Sequence, residues 1–220
     1  MAPDADMVID KIEEESGRMQ LLVEDLLALT RAEGTRLDRK TVDMQKVVDS
    51  AVSSARAAYP ERSIEVDNQC VRPPMVNGDP DRLHQVLMNL INNAFKHGGS
   101  DVDVTITLRE NLDRIVIEVA DNGRGMAEED AARIFDRFYR ADASRHRAGG
   151  GGSGLGLAIT KSLIEQHEGT ITVDTAPGEG ATFKISLPLL REVNGATATK
   201  ATKATKAAQP AKDAKTPEKD

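Results

Sequence analysis

Gln85, Asn89, Asn93 and Lys96 stand three and four residues apart in D-P-D-R-L-H-Q-V-L-M-N-L-I-N-N-A-F-K-H-G-G, residues 79–99. That spacing puts them on one stripe of a helix. Asn is a poor helix former whose amide competes with the backbone, and Glu or Lys would serve a solvated face better. Two readings follow. A structural polar face is one. The other is a ligand that takes neutral oxygens and one cation, since magnesium accepts hard donors such as an Asn carbonyl and an ammonium suits phosphate.

Two further stretches carry similar chemistry. D-N-G-R-G-M, residues 121–126, follows an alternating apolar run. A carboxylate at a strand end, with glycines that let backbone approach a ligand, can accept a hydrogen bond from an amino group such as the exocyclic amine of adenine. A-G-G-G-G-S-G-L-G-L, residues 148–157, leads into an apolar helix signature. Glycines before a helix leave amides facing an anion, although the G-K-[ST] ending of a P-loop is missing. Between the two, R-I-F-D-R-F-Y-R gathers Phe135, Phe138 and Tyr139 beside Arg137 and Arg140. Residues 141–152 are polar, basic and glycine-rich, as a lid over triphosphate would be.

These groups need elements to hold them. Asp79 is placed to cap a helix with Pro80 at its first position and Gly98 and Gly99 at its end, its buried stripe being Leu83, Val86, Leu87, Leu90, Ile91 and Ala94. Met44, Val47, Val48, Ala51 and Val52 mark another helix, ending before Tyr59-Pro60, and S-I-E-V then alternates as a strand. Residues 101–108 and 113–120 predict a hairpin turning at Glu110 and Asn111, and 170–174 and 181–187 a second one around A-P-G-E-G. Helices mixed with hairpins imply an α/β sandwich, a mixed and mainly antiparallel sheet covered by helices on one face.

One long helix precedes this body. Ile9, Ile12, Ser16, Met19, Val23, Leu26 and Thr30 follow a 3, 4, 3, 4 spacing within residues 7–31, the seam of a coiled coil or bundle. A single-stripe helix needs a partner, from another chain or from a missing segment. Residues 32–40 read as a polar joint.

Composition sets bounds. The 220 residues are 39% hydrophobic and 30% charged, with 3% aromatic and a net charge of -7. That suffices for one aliphatic-cored domain with accessories and argues against specific nucleic acid as a partner. The single cysteine, Cys70, excludes an internal disulfide, and no apolar run approaches the roughly 20 residues of a membrane span. Residues 191–220 repeat Ala-Thr-Lys, with seven basic and four acidic side chains. Such a segment buries no core and reads as a disordered, solvating tail.

Four blocks in fixed order, N-L-I-N-N-A-F-K-H, D-N-G-R-G-M, R-I-F-D-R-F-Y-R and G-G-S-G-L-G-L, resemble the N box, first glycine box, F box and second glycine box of bacterial sensor histidine kinases. The resemblance spans about residues 7–190, and its ATP-binding part is similar more broadly to the fold of Hsp90, gyrase B and MutL. It implies a protein-histidine kinase using ATP and Mg2+, with residues 1–35 the second helix of a dimerisation and phosphotransfer hairpin, 36–190 the ATP-binding domain and 191–220 the tail. By the same resemblance Asn93 holds magnesium, Asn89 and Lys96 face the phosphates, His97 lies beside the nucleotide and Asp121 binds adenine. Gly123 and Gly125 shape that pocket. Arg140 reaches the phosphates, and Ser153, Gly154, Leu155, Gly156 and Leu157 form the lid hinge and the phosphate-facing helix start.

The chain departs from the family pattern in two respects. The family's phosphoacceptor sits in an H-E-x-x-x-P-like block, and nothing similar precedes Met7. His84, His97, His146 and His167 have other addresses, the last before Glu168-Gly169 where Gly-Gly is usual. The expectation is a kinase whose target histidine lies on a missing segment or a second protein: a cytoplasmic part of a membrane-tethered homodimeric sensor, or a split kinase working as a heteromer. In both cases the phosphoryl group passes on to a response regulator. Gln85 and Asn89 stand where related ATPases place a water-activating carboxylate, and neither takes a proton, which favours phosphotransfer over hydrolysis. The alternatives are an ATPase of the Hsp90 or MutL kind and a non-catalytic nucleotide-binding dimerisation module.

Overall fold

The computed structural model describes residues 36–99, 101–141 and 153–190, together with the helical positions Ile9, Ile12, Ser16, Gly17 and Met19. The remainder of the predicted N-terminal helix, most of the predicted lid and the whole Ala-Thr-Lys segment lie outside the described residues. Of the predicted seam, Ile9, Ile12 and Met19 are exposed.

In chain order the elements are β1 (Lys40–Asp43), α1 (Met44–Ala58), β2 (Ile64–Asn68), β3 (Met75–Gly78), α2 (Pro80–His97), β4 (Val104–Asn111), β5 (Arg114–Asp121), α3 (Glu128–Ala131), α4 (Gly156–Gln166), β6 (Thr170–Thr175) and β7 (Ala181–Pro188). The main sheet runs β2-β4-β5-β7-β6. Only the β2–β4 pair is parallel; β4–β5, β5–β7 and β7–β6 are antiparallel. Alternation decides which face is buried. Val104, Ile106 and Leu108 of β4 meet Ile115, Ile117 and Val119 of β5 and Phe183, Ile185 and Leu187 of β7 in one core. The opposite face carries charge: Arg109 Nη2 lies 2.7 Å from Glu118 Oε1, and Lys184 pairs with Asp174.

Helices α1, α2 and α4 cover the apolar face, with α2 between the other two. α1 starts where Asp43 Oδ1 accepts from the Gln45 amide at 3.0 Å, and its end is closed by the Tyr59 amide donating to Ala55 O at 2.8 Å. Pro60 cannot continue it. α2 behaves as its sequence predicts: Asp79 Oδ1 accepts from the amides of Asp81 (3.1 Å) and Arg82 (3.2 Å), and the Gly98 amide donates to Ala94 O (2.8 Å). Leu90 and Ile91 are fully enclosed, each burial contributing roughly 2 kcal/mol.

The structure corrects two local expectations. The first hairpin does not turn at Glu110 and Asn111, which are still paired with Ile115 and Arg114; the turn is Leu112-Asp113, with Leu112 at φ 57° and exposed. A two-residue hairpin loop needs positive φ, and the register of β4 on β5 imposes it on a leucine. The polar joint does not run to residue 40 either. Lys40 opens β1, which pairs antiparallel with β3. Four-residue strands whose partner lies more than 30 residues away leave no periodic trace.

Candidate functional site

Asn89 sits midway along α2, one turn before Asn93. Its Nδ2 donates to Gly156 O and to Thr160 Oγ1, both at 3.3 Å, in the first turns of α4. The Gly156 carbonyl can only accept, so the carboxamide must turn its nitrogen toward α4. Its oxygen Oδ1 is thereby directed away from α4. Asn93 follows on the same stripe, half-buried, and Lys96 lies exposed nearly one turn further on. His97, half-buried, is the last helical residue. Gln85 belongs to a different arrangement: its Oε1 accepts from Arg82 Nη1 at 3.2 Å.

The first glycine box packs on the far end of that helix. Asp121 closes β5, and its Oδ1 accepts from the Gly123 amide at 2.9 Å. Burial pushes the Asp121 carboxyl above the usual carboxylate range, while hydrogen bonds from the Gly123 and Ala181 amides draw it back. A half-buried carboxylate with spare lone pairs gains most from a neutral N–H donor brought by a ligand. Gly123 permits the approach: a Cβ there would lie 2.5 Å from Gly98 Cα. Asn89 and Gly98 stand nine positions apart, about 13 Å of helix, so α2 sets the separation between its polar stripe and the first glycine box.

The loop between β6 and β7 forms part of the same wall. Gly125 (φ 62°) leaves no room for a Cβ, which would stand 1.9 Å from Ala176 O. Thr175 Oγ1 donates to Gly180 O (2.7 Å) and accepts from the Met126 amide (3.1 Å), and the Gly178 amide donates to Arg124 O (2.6 Å). By its sequence A-P-G-E-G is only a turn. The clue was the paired glycines 178 and 180, both at positive φ.

Beside the start of α4, the aromatic segment and the second glycine box are joined. Phe138 N–H donates to Gly154 O at 3.0 Å, and Gly154 (φ 74°) packs so tightly that a Cβ would meet Tyr139 O at 2.8 Å. Arg140, half-buried, is the next residue along. Phe135 holds the segment on the core, edge-on to Phe183 at 6.3 Å between ring centres, while Tyr139 Oη donates to Asp130 Oδ1 at 2.6 Å. Ser153 Oγ accepts from the Leu155 amide (3.1 Å), Leu155 is fully buried and Leu157 packs against the core. Among the described residues no side chain caps α4, and uncapped amides at a helix start can receive an anion.

The donor set fits a magnesium nucleotide. Among the described residues no cluster of three or more His, Cys, Asp or Glu could hold a metal. Neutral amide oxygens from α2, completed by phosphate oxygens and water, suit a hard cation that dehydrates reluctantly. Also among the described residues, no helix is long and apolar enough to cross a membrane.

Residues 78–191 match the family described as histidine kinase-, DNA gyrase B- and HSP90-like ATPase. The chain is 40% identical over 182 residues to the probable sensor histidine kinase TcrY of Mycobacterium tuberculosis, an alignment covering 82% of this chain and 38% of that protein. Among solved structures, the mycobacterial sensor histidine kinase MprB superposes with a TM-score of 0.59 at 28% identity, covering 69% of this chain and 97% of that one. Full-length ShkA in complex with AMPPNP gives 0.66 at 31% identity, covering 80% of this chain and 37% of that one. The chain thus spans less than half the length of the curated relatives it matches. On the fold, the four ordered blocks and these likenesses together, the chain belongs to the histidine kinase-, DNA gyrase B- and HSP90-like ATPase family, as an ATP-binding catalytic region of the bacterial sensor histidine kinase type.

Proposed function

We propose that this chain transfers the γ-phosphoryl group of Mg-ATP to a histidine carried by a phosphotransfer helix, for relay to a response regulator aspartate. The observation that carries the reading is the Asn89 carboxamide, whose nitrogen is engaged by α4, together with the Asp121 carboxylate at the end of β5, whose glycine turn packs against the far end of α2. Asp121 accepts from the adenine amine, with Gly123 and Gly125 admitting the ring. Asn93 would hold the metal through its oxygen, and the Asn89 oxygen, expected from the sequence to face the phosphates, would join it there; the metal would neutralise phosphate charge. Lys96, Arg140 and the leading amides of α4 take the phosphate oxygens, and His97 borders the nucleotide.

In the transfer, a neutral imidazole nitrogen forms the new N–P bond as the bond from phosphorus to the ADP oxygen breaks. The nucleophile carries its own lone pair, so positioning and charge neutralisation supply the rate rather than a general base. Gln85 and Asn89, being amides, cannot activate water, which disfavours hydrolysis.

In this reading residues 1–35 are a phosphotransfer-hairpin helix, 36–190 the kinase domain and 191–220 a solvating tail, within a dimeric cytoplasmic assembly tethered to a membrane. Incubating the protein with magnesium, γ-labelled ATP and a helical-hairpin protein bearing the acceptor histidine tests it. Acid-labile label on the partner is the expected result. Free phosphate alone points to an ATPase, and neither product to a nucleotide-binding module.

A further inference from the structure

Thr160 is fully buried on a face of α4 otherwise made of Ala158, Ile159, Leu163 and Ile164. A valine would fill this position without a polar atom to satisfy, so the hydroxyl calls for a role. Its hydrogen is committed: Oγ1 donates to Gly156 O at 2.9 Å. A lone pair then faces Asn89 Nδ2 at 3.3 Å, and the same nitrogen reaches Gly156 O at 3.3 Å. Two acceptors thus meet one amide nitrogen. Turning the carboxamide over would set Oδ1 against the Gly156 carbonyl, and the Thr160 hydroxyl could serve it only by giving up its own bond to Gly156 O.

Resting on the magnesium-nucleotide reading of Asn89, we propose that Thr160 is a positioning residue: its hydroxyl locks the Asn89 carboxamide so that Oδ1 points at the metal-nucleotide site. It also ties that orientation to the first turn of α4, the helix that begins at the second glycine box. Thr160 touches neither nucleotide nor metal. Its effect is confined to the magnesium-dependent part of binding, because the adenine side at Asp121 is built from other elements.

The test is calorimetry with AMPPNP, with and without magnesium, on wild type, Thr160→Val and Thr160→Ser. Losing one of two hydrogen bonds to the carboxamide should weaken binding in magnesium about five- to tenfold. Affinity without magnesium should be unchanged, and Thr160→Ser should restore the wild-type value. In the nucleotide-free protein, the Asn89 side-chain amide protons should exchange with water faster in Thr160→Val than in wild type or Thr160→Ser. Should Thr160→Val not fold, Thr160→Ala also lacks the hydroxyl and carries the same comparison. Wild-type affinity in Thr160→Val, or an equal loss with and without magnesium, overturns the proposal while leaving the site reading intact. A wild type whose affinity ignores magnesium overturns both.

Discussion

Helices α2 and α4 are joined by polar contacts at two places, and the two joints are built differently. At the start of α2, His167 Nε2 accepts from the Asp79 amide (3.0 Å) while its Nδ1 donates to Leu163 O (2.7 Å). Asp79 Oδ2 accepts from the Asp38 amide (3.1 Å), and Arg39 reaches Glu168 Oε1 (2.7 Å) and Gln166 O. Every polar atom of the His167 ring is used, and the residue is buried. Midway along α2, Asn89 spends only its nitrogen on α4. A saturated joint fastens the fold, whereas a half-used one keeps an oxygen to offer. Concavity is a poor guide to which is which, since a partly open hollow of about 200 Å3 lies at the saturated end, beside Arg39, His167 and Leu189.

Substitutions should separate the two kinds of joint. The largest effect is expected at the base side, where Asp121→Asn should lower nucleotide affinity by about ten- to a hundredfold, the scale of a hydrogen bond to a charged group. Calorimetry checks this. Because burial raises the Asp121 carboxyl in the folded state, its ionised form opposes folding at neutral pH. The same variant should therefore unfold at the same or a higher urea concentration than wild type.

His167→Ala should do the reverse. It strands the Asp79 amide and leaves a cavity, costing roughly 3 kcal/mol, with nucleotide affinity of the folded fraction retained. Urea unfolding and calorimetry on one sample distinguish the outcomes. Stability lost together with affinity would show the two joints to be one unit.

Protonation probes the saturated joint more gently. Burial lowers the His167 pKa below its ordinary value, an effect reinforced by the nearby Arg39 charge and opposed by the bond to Leu163 O and the Asp79 charge. The unfolded chain takes up this proton first, near pH 6.5. The contribution of neutral His167 is thus fully present above about pH 6.5 and is lost as pH falls from there through the folded value. Urea midpoints between pH 7.5 and 5.5 should decline less steeply in His167→Gln than in wild type. The smallest effect belongs to Arg39→Ala, since its partner Glu168 is exposed. A slight loss of stability that vanishes at high salt is expected in thermal unfolding.

Much of this was legible in the chain. The cap and stripes of α2, the helix-ending Pro60, both hairpins and the mixed sheet follow from local spacing, because periodicity and capping act within a few residues. The glycine boxes were visible for the same reason: residues needing positive φ, or no Cβ, announce themselves. Not legible were Thr160, the locking of Thr175 and Gly180 onto the first glycine box, and the β1–β3 pair. Each depends on atoms brought together across 30 to 70 residues, and a lone threonine has the same local pattern whether it holds an asparagine or merely fills a core.

The sequence by itself determined which groups are available, namely neutral amides on one stripe, a carboxylate at a strand end and unhindered amides before a helix, since side-chain chemistry and helical period need no tertiary context. Only the tertiary structure decided which way those groups face. An asparagine can present either end of its amide, and the Gly156 carbonyl and Thr160 hydroxyl of a neighbouring helix are what its nitrogen meets.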